Sequence, residues 1–460
     1  AYKSVKDGIQ KAKIPDWMKK YFSDLSDAGV GVYPTPFVHQ VQALENAVQG
    51  RDLFVSTGTG SGKTECFMWP LMAKLATEAK DNPDTWKMRG VRTIVMYPMN
   101  ALVSDQVSRL RRLIGDPEGK FLNVFRSTCG ETVRRPQFGM YTGRTPYPGN
   151  EPVTSEDRKL EKTLARMSFP QTDSEKSFFE ALRHEGKIPA KMDMQTFLEG
   201  LHNGRHIPDA EDAELITRFE MQKFCPDILI TNYSMLEYML LRPREAKIWQ
   251  DTKEWLEENP SNKLLFVIDE AHMYRGSSGG EVALLIRRLF HKLGITRDRV
   301  QFILTTASMP DRDQEDKNAV YKFAQELTAA DTTVEFCYLT GEKEQADTVE
   351  LRSIPLQSFQ SADASAFEEN ELVCFQALNQ FWSGVEGSTA PFTDMASACQ
   401  WMYDNLIAYR PFHTLISKCR GNAVSLAELA AEAFPDVGEE EAMNYVSILL
   451  AIAPLAKNEK

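Results

Sequence analysis

The sequence predicts an α/β fold built around a doubly wound parallel sheet. Helical patterns, for example at 100–114 and 281–294, lie between apolar runs rich in branched side chains. These apolar runs recur at wide intervals along the 460 residues, at 52–57, 93–98, 227–232, 264–270 and 300–308. Strands that alternate with helices in this way are typical of a parallel sheet covered on both faces. The polar residues that end the strands should therefore meet at one edge, where such folds bind their ligands.

The composition limits the size and the partners of the protein. A chain of this length is expected to form two or three domains, and a hydrophobic fraction of 42% is sufficient for real cores. The formal net charge is −12, whereas a protein that binds nucleic acid by bulk attraction is basic. Any contact with nucleic acid is therefore expected to be local, through short basic patches, backbone amides and hydroxyl groups.

Seven cysteines are scattered along the chain, and no two of them form a CxxC pair. This pattern favours neither a zinc site nor a disulfide framework, and it fits a reducing cytoplasm. The first ten residues lack the apolar core of a signal peptide, and the longest apolar stretch, 446–456, is too short to span a bilayer. The sequence thus predicts a soluble cytoplasmic protein with no membrane partner.

Three regions are expected along the chain. Residues 1–32 are predicted to form a polar helical extension, and residues 33–330 carry the alternating pattern of an α/β lobe. That pattern is interrupted at 150–224, where charged helical segments predict a mostly helical insertion. Residues 331–460 are predicted to form a mainly helical accessory region.

Two amphipathic helices are predicted near the end of the accessory region. The first, 425–434, opens with Ser425 and Glu428, which form the pattern of a capping box. The second places five apolar residues on one stripe, Ala442, Tyr445, Val446, Leu449 and Leu450. A plain helical subdomain and a winged-helix-like element that contacts nucleic acid are both compatible with this pattern.

A glycine-rich loop, STGTGSGKTE at 56–65, overlaps the end of the first predicted strand. A strand, such a loop, Lys-Thr and then a helix form the pattern of a phosphate-binding loop, because glycines let backbone amides turn toward an anion. Lys63 is expected to reach the β- and γ-phosphates of a nucleotide, and the Thr64 hydroxyl to bind Mg²⁺. The predicted nucleotide-binding residues of this loop are Thr57, Gly58, Thr59, Gly60, Ser61, Gly62, Lys63 and Thr64.

An acidic pair ends the strand predicted at 264–270. Asp269 stands at the strand end, where a carboxylate can hold Mg²⁺ directly or through water. Glu270 is the next side chain and can act as general base on an attacking water. Together with the phosphate loop, this pair predicts a catalytic set of Lys63, Asp269 and Glu270, with Asp269 and Thr64 as metal ligands.

In combination, the motifs resemble those of superfamily 2 helicases and translocases over about 33–310. GSGKT at 60–64 resembles motif I, DEAH at 269–272 resembles motif II, and TAS at 306–308 resembles motif III. The resemblance implies a P-loop RecA-like lobe that uses ATP and Mg²⁺. It also implies that Gln40 reads the adenine. The residues that it implies couple the nucleotide site to nucleic acid are His272, Thr306 and Ser308.

Three further stretches resemble a narrower group, the large bacterial DNA helicases of the mitomycin-repair kind and of the Druantia and DISARM anti-phage systems. They are YPMNALVSDQ at 97–106, YTG at 141–143 and TNYSMLEYMLLRP at 231–243. The resemblance implies 3′ to 5′ movement on DNA and a partner protein of a defence system. Ordinary turn chemistry accounts for the same residue types. The residues that the resemblance places on DNA are Pro98, Asn100, Thr142, Gly143, Thr231 and Asn232.

A superfamily 2 motor also needs a second RecA-like lobe, whose arginines reach the γ-phosphate across the cleft. After Ser308 the sequence shows neither the strand–helix rhythm of such a lobe nor a QRxGRxGR-like stretch. We therefore expect the chain to be the first lobe, with accessory elements, of a longer polypeptide. Alone, it should bind ATP and hydrolyse it very slowly.

The leading function predicted from the sequence is an ATP-dependent DNA helicase or translocase in bacterial genome defence or repair. An RNA helicase or a double-strand translocase is the enzymatic alternative, because these motors share their motifs. A nucleotide-gated scaffold that loads a partner nuclease is an alternative of another class, and the missing arginine motif is its main support.

Overall fold

A sheet of eight strands, all from residues 52–340, is the main feature of the computed structural model. The structure describes residues 5–58, 62–147, 155–203, 208–307, 314–341, 351–367, 369–387, 389–419 and 424–457. The strands are β1 Asp52–Ser56, β2 Thr93–Tyr97, β3 Phe138–Tyr141, β4 Glu214–Leu215, β5 Ile228–Asn232, β6 Leu264–Ile268, β7 Val300–Thr306 and β8 Phe336–Thr340. Their order across the sheet is β4-β3-β5-β2-β6-β7-β1-β8, and every neighbouring pair is parallel.

Helices connect the strands and cover both faces of the sheet. In the first part of the chain they are α1 Val5–Lys11, α2 Asp16–Asp27, α3 Val38–Val48, α4 Glu65–Asp81, α5 Pro83–Lys87, α6 Asn100–Leu113, α7 Lys120–Cys129, α8 Ser155–Ser168, α9 Asp173–His184, α10 Met194–His202, α11 Arg218–Lys223, α12 Tyr233–Leu241, α13 Ala246–Glu258, α14 Ser277–Leu293 and α15 Gln314–Leu327.

Alternate side chains of the central strands enter two different cores. Leu53 and Val55 of β1 are buried in the core that α2, α3, α4 and α7 share, whereas Phe54 is buried among α12, α13 and α14 on the opposite face. A strand buried on both faces has no polar side to show, which is why these strands are continuous apolar runs in the sequence. The predicted fold class is confirmed, and each of the five predicted strands is present.

Three strands of the sheet were not predicted. β3 and β4 have only four and two residues, too short to leave a periodic signal. β8 lies in the stretch after residue 331 that we assigned to the accessory region, and it pairs with β1 at the edge of the sheet. The N-terminal helices pack against the sheet, because Met18, Tyr21 and Phe22 of α2 are buried in the core that contains Leu53 and Val55.

The insertion contains α8, α9 and α10, and two of these helices surround a small core of their own, formed by Leu164, Phe197, Leu198, Leu201 and Ile216. Three ion pairs fix the base of the insertion near the edge of the sheet. Arg111 of α6 binds both carboxylate oxygens of Glu214 at 2.7 Å. The fully buried Lys191 pairs with Asp212 at 3.0 Å and with Glu220.

The chain divides into two compact units, residues 1–342 and 343–460. The second unit has a separate hydrophobic core, and its described residues contain no β-strand. Its helices are α16 Leu356–Gln360, α17 Glu371–Glu386, α18 Met395–Asn405, α19 Arg410–Cys419, α20 Leu426–Ala433 and α21 Glu439–Ile452. Across all described residues, no helix combines the length and the apolar character that crossing a bilayer requires.

Candidate nucleotide site

The glycine-rich loop joins the carboxyl end of β1 to the start of α4. Gly62 has a φ of 71°, in the left-handed region that glycine enters without steric cost. A Cβ atom at this position would lie 2.1 Å from Nε2 of Gln40, so a side chain here would displace the end of the Gln40 side chain. Thr57 and Gly58 lie at the described start of the loop, whereas Thr59, Gly60 and Ser61 lie outside the described residues.

Lys63 contacts the acidic pair directly. Its Nζ donates a hydrogen bond to Oε1 of Glu270 at 3.0 Å, and the two side chains are 12% and 22% exposed. Glu270 has a φ of 51°, a left-handed conformation that is uncommon for a non-glycine residue and that clusters at functional sites. The phosphate loop and the end of β6 therefore meet.

Asp269 follows β6 and is 8% exposed. Its Oδ1 accepts hydrogen bonds from the Thr305 hydroxyl on β7 and from the backbone N–H of Glu270 at 3.0 Å. Burial raises the pKa of Asp269, against the opposing effect of the Thr305 hydrogen bond. A buried carboxylate of this kind is stabilised by a divalent cation, and oxygen ligands are those that Mg²⁺ prefers. The residues present therefore fit a bound Mg²⁺.

The predicted coupling residues His272 and Thr306 are in contact. Nδ1 of His272 lies 2.9 Å from Oγ1 of Thr306 and 3.3 Å from Oε2 of Glu270. The histidine thus connects the end of β7 with the candidate general base. Ser308, the third predicted coupling residue, lies outside the described residues.

Gln40 is fixed against the phosphate loop. Its Oε1 accepts from the backbone N–H of Phe37 at 2.9 Å, and its Nε2 donates to the carbonyl of Gly62 at 3.1 Å. The side chain is 2% exposed. Gln40 therefore holds α3 against the loop. An open cavity of about 520 Å³ lies at the start of α4, lined in part by Tyr33, Thr64, Glu65, Met68 and Arg109.

The predicted DNA contacts lie together at the other half of the same edge. β3, β5 and β2 are neighbours in the sheet, whereas the nucleotide residues follow β6, β7 and β1. Tyr97, which precedes Pro98, pairs with Asn232, and the Thr231 hydroxyl donates to the carbonyl of Tyr141 at 2.7 Å. The two predicted sites therefore lie on adjacent halves of one edge of the sheet, and the boundary between them falls between β2 and β6.

Two of the predicted DNA contacts have structural partners. Thr142 and Thr231 are almost completely buried. The backbone N–H of Thr142 donates to the Thr145 hydroxyl at 2.9 Å, and its carbonyl accepts from Arg218 at 2.7 Å. These side chains therefore shape the turns rather than offer hydroxyls to solvent.

The remaining predicted DNA contacts are more accessible. Asn232 is half-buried and caps α12, because its Oδ1 accepts from the backbone N–H of Met235 at 2.8 Å. Pro98 is half-buried and Gly143 is exposed. Asn100 begins α6, and its side chain lies outside the described residues.

Sequence reasoning missed two residues at this edge. Thr305 holds Asp269, and only its place beside the predicted coupling residues could have indicated that role. Arg144 is exposed directly after Gly143, so its positive charge is accessible at this end of β3. The Thr–Gly–Arg order after a strand was the available signal.

Comparison with known proteins agrees with this geometry. The family model described as DEAD/DEAH box helicase matches residues 37–144 and 190–316, about half of the chain, and leaves out part of the insertion. Druantia protein DruE of Escherichia coli (strain UMEA 4076-1) is 38% identical over 96% of this chain and 25% of its own length. ATP-dependent RNA helicase ROK1 of Lodderomyces elongisporus is 33% identical over 26% of this chain and 19% of its own length. The chain therefore spans about a quarter of DruE.

Among solved structures, the DUF1998 helicase MrfA bound to DNA is similar to this chain with a TM-score of 0.37 and 17% identity. The similarity covers 71% of this chain and 30% of MrfA, and at this level it carries no argument about function. The family match and the extended likeness to DruE do establish a class. The chain belongs to the DEAD/DEAH box helicase family, within superfamily 2.

Proposed function

We propose that the chain is the ATP-binding motor lobe of a DNA helicase or translocase in bacterial genome defence or repair. The contact set at the carboxyl edge of the sheet carries this proposal. It comprises three side-chain hydrogen bonds, which join Lys63 to Glu270, Thr305 to Asp269 and His272 to Thr306. Family membership supports an ATP-hydrolysing enzyme, and the likeness to a Druantia protein supports a role in defence.

ATP and Mg²⁺ are the cofactors of this proposed motor. Asp269 and Thr64 would hold the Mg²⁺, which would supply positive charge for the nucleotide phosphates. Lys63 exchanges the Glu270 carboxylate for phosphate oxygens when ATP binds. The released Glu270 is then able to accept a proton from the attacking water. His272, which contacts both Glu270 and Thr306, transmits the movement of Glu270 to β7.

DNA is the proposed track along the β3, β5 and β2 ends. Because Thr142 and Thr231 are buried, we expect backbone groups, Gly143 and Asn232 to meet sugars and phosphates. Arg144 adds a local cation. Contacts of this kind carry no sequence code, which suits a motor that moves along any sequence.

A second RecA-like lobe in the same full-length polypeptide is the proposed source of the arginines that complete hydrolysis. A partner protein of a defence system is proposed from the likeness to DruE. An RNA helicase remains the alternative that one observation favours, because a named RNA helicase shares 33% identity over part of the lobe. The cytoplasm is the proposed location.

Strand displacement by the full-length polypeptide tests the substrate class. We expect ATP-dependent displacement of a DNA duplex with a 3′ single-stranded tail, and displacement at least about tenfold slower from a 5′ tail or from RNA. Lys63→Ala should abolish it, whereas the exposed control Lys292→Ala should not. Displacement of RNA in preference to DNA would favour the alternative, and ATP binding without displacement of either would favour the scaffold.

A further inference from the structure

The negative charge of the protein is concentrated in its C-terminal unit. Residues 343–460 contain 17 acidic and 7 basic residues, a net charge of −10, whereas residues 1–342 contain 48 acidic and 46 basic residues. Such a unit repels phosphate backbones, because nucleic-acid binding depends on cations that replace condensed counterions. The first unit is nearly neutral and has no comparable bias.

The last helix pair of this unit is acidic at the position where a nucleic-acid reader would be basic. In a helix-turn-helix, the N-terminal residues of the second helix contact base edges. Here α21 begins with three consecutive glutamates, Glu439, Glu440 and Glu441. The described residues of the unit contain no β-strand that could form a wing. The charge therefore favours a protein partner over the winged-helix interpretation.

An open groove lies between α17, α18 and the end of α21, with a volume of about 550 Å³. Phe367 and Cys374 are buried at its base, and Met395, Leu450 and Leu455 form its apolar lining. Leu450 is 40% exposed although the stripe of α21 predicted it to be buried. An apolar groove of this size is suited to the side chains of one face of a helix.

Acidic side chains border the groove. Glu369 and Glu371 belong to its lining and are both exposed. Asp394 caps α18 immediately before Met395. On the α21 side of the groove, the first described basic residue along the chain is Lys457, which follows the lining residue Leu455 by two positions. The apolar groove and its acidic border together match a ligand that is apolar along one face and positively charged beside it.

We propose that the C-terminal unit is a docking module that takes an amphipathic helix with basic flanks from a partner protein into the groove lined by Phe367, Met395 and Leu450. Apolar side chains at helical spacing fill the groove. Lysine or arginine side chains beside them pair with Glu369 and Glu371. The acidic surface accelerates the encounter and selects against acidic segments and nucleic acid.

A designed helical peptide with leucine on one face and lysine on the other tests this proposal on the complete chain. Fluorescence anisotropy should show binding of this peptide, and a matched peptide with glutamate in place of lysine should bind at least about tenfold more weakly. Glu369→Lys combined with Glu371→Lys should weaken binding of the lysine peptide by at least about tenfold. The matched control is Glu439→Lys combined with Glu440→Lys, with the same change in charge.

The control pair lies roughly 16 Å along α21 from Leu450, so it should change affinity by no more than about threefold. Leu450→Asp separates apolar contact from charge. It adds a negative charge, which bulk attraction alone would convert into tighter binding, whereas a docking groove predicts at least about tenfold weaker binding. Thermal unfolding of each variant, with Leu450→Ser as a milder substitute, shows whether the fold is kept.

Three outcomes would overturn the proposal. One is equal weakening by the border pair and the control pair, which would show attraction without a site. Another is unchanged or tighter peptide binding by Leu450→Asp in a folded protein. The third uses a DNA duplex as probe: weaker DNA binding by Leu450→Asp together with unchanged peptide binding would assign the groove to nucleic acid.

Discussion

Asp227 is fully buried at the amino end of β5, where it pairs with two arginines. Arg134 binds both its carboxylate oxygens at 2.7 Å, and Nη1 of Arg92 lies 3.4 Å from it. Arg92 is itself completely buried, binds Glu78 at 2.9 Å and lies over the ring of Trp255 at 4.7 Å. Because Arg92 immediately precedes β2, the cluster fixes the strands whose opposite ends carry the proposed DNA contacts.

Replacing Asp227 with asparagine should destabilise the first unit by about 3 kcal/mol at pH 7, because two buried guanidinium groups lose a shared carboxylate. Burial would raise the pKa of Asp227, but Arg134 and Arg92 outweigh it and hold this pKa below its ordinary value of 3.8. The stabilisation is therefore complete above pH 3.8 and is lost as the pH falls through the lower folded value.

Urea unfolding of Asp227→Asn and the parent protein at a series of pH values measures this effect. The difference in free energy of unfolding should shrink as the pH falls below 3.8. The exposed pair of Asp84 with Lys87 offers a control, and Asp84→Asn should leave the unfolding midpoint unchanged. A difference that stays constant with pH would show that ionised Asp227 does not stabilise the fold.

At the residue scale, the sequence predicted the site best where local chemistry decides it. The phosphate loop and the acidic pair were recognised from their own residue patterns, and the structure brings Lys63 and Glu270 into contact. The bond between Thr305 and Asp269 depends on β6 and β7 being neighbours, which spacing does not show. The burial of Thr142 depends on Arg218, which lies far from it in the chain. The burial of Thr231 depends on Tyr141, which lies on another strand.

At the scale of elements, the start of α14 links the acidic pair to a helix. Gly276 has a φ of 71°, and the helix begins at the next residue. A Cβ atom at Gly279 would lie 2.6 Å from the carbonyl oxygen of Tyr274, whereas a Cβ atom at Gly280 would meet nothing within 4 Å. Adjacent glycines in one helix therefore have different roles.

Gly279→Ala should destabilise this turn by about 2 kcal/mol, because the new methyl group forces the backbone of Tyr274 to move. Gly280→Ala should stabilise the protein by roughly 0.5–1 kcal/mol, since alanine loses less backbone entropy than glycine in a helix. Thermal unfolding compares the two. Equal shifts for both variants would contradict the close approach at Gly279.

Elements were predicted as far as their periodicity allowed. The five long strands have both faces buried and were recognised, whereas β3 and β4 are held by pairing with β5 and with each other. β8 contains Cys337 and Tyr338, and its position beside β1 is a tertiary fact. Leu450 lies on the predicted apolar stripe of α21 yet is 40% exposed.

At the scale of the whole molecule, the family model covers seven of the eight strands of the sheet, and β8 lies beyond its last matched residue. Residues 145–189 fall outside the matched segments, and they include α8 and α9 of the insertion. α9 buries none of its residues. The sequence indicated the insertion through its lost rhythm, but the ion pairs of Arg111 and Lys191 that fix its base arise only in the folded chain.

Hydrolysis of ATP by Glu270→Gln tests the central claim most directly. We expect slow single-turnover hydrolysis by the parent chain and at least about 100-fold slower hydrolysis by the variant. Calorimetry should show unchanged or tighter binding of Mg²⁺-ATP, because Lys63 no longer has to leave a carboxylate. The exposed control Glu281→Gln should behave like the parent. Hydrolysis by Glu270→Gln at the parent rate would contradict the assignment of the general base and of the motor site around it.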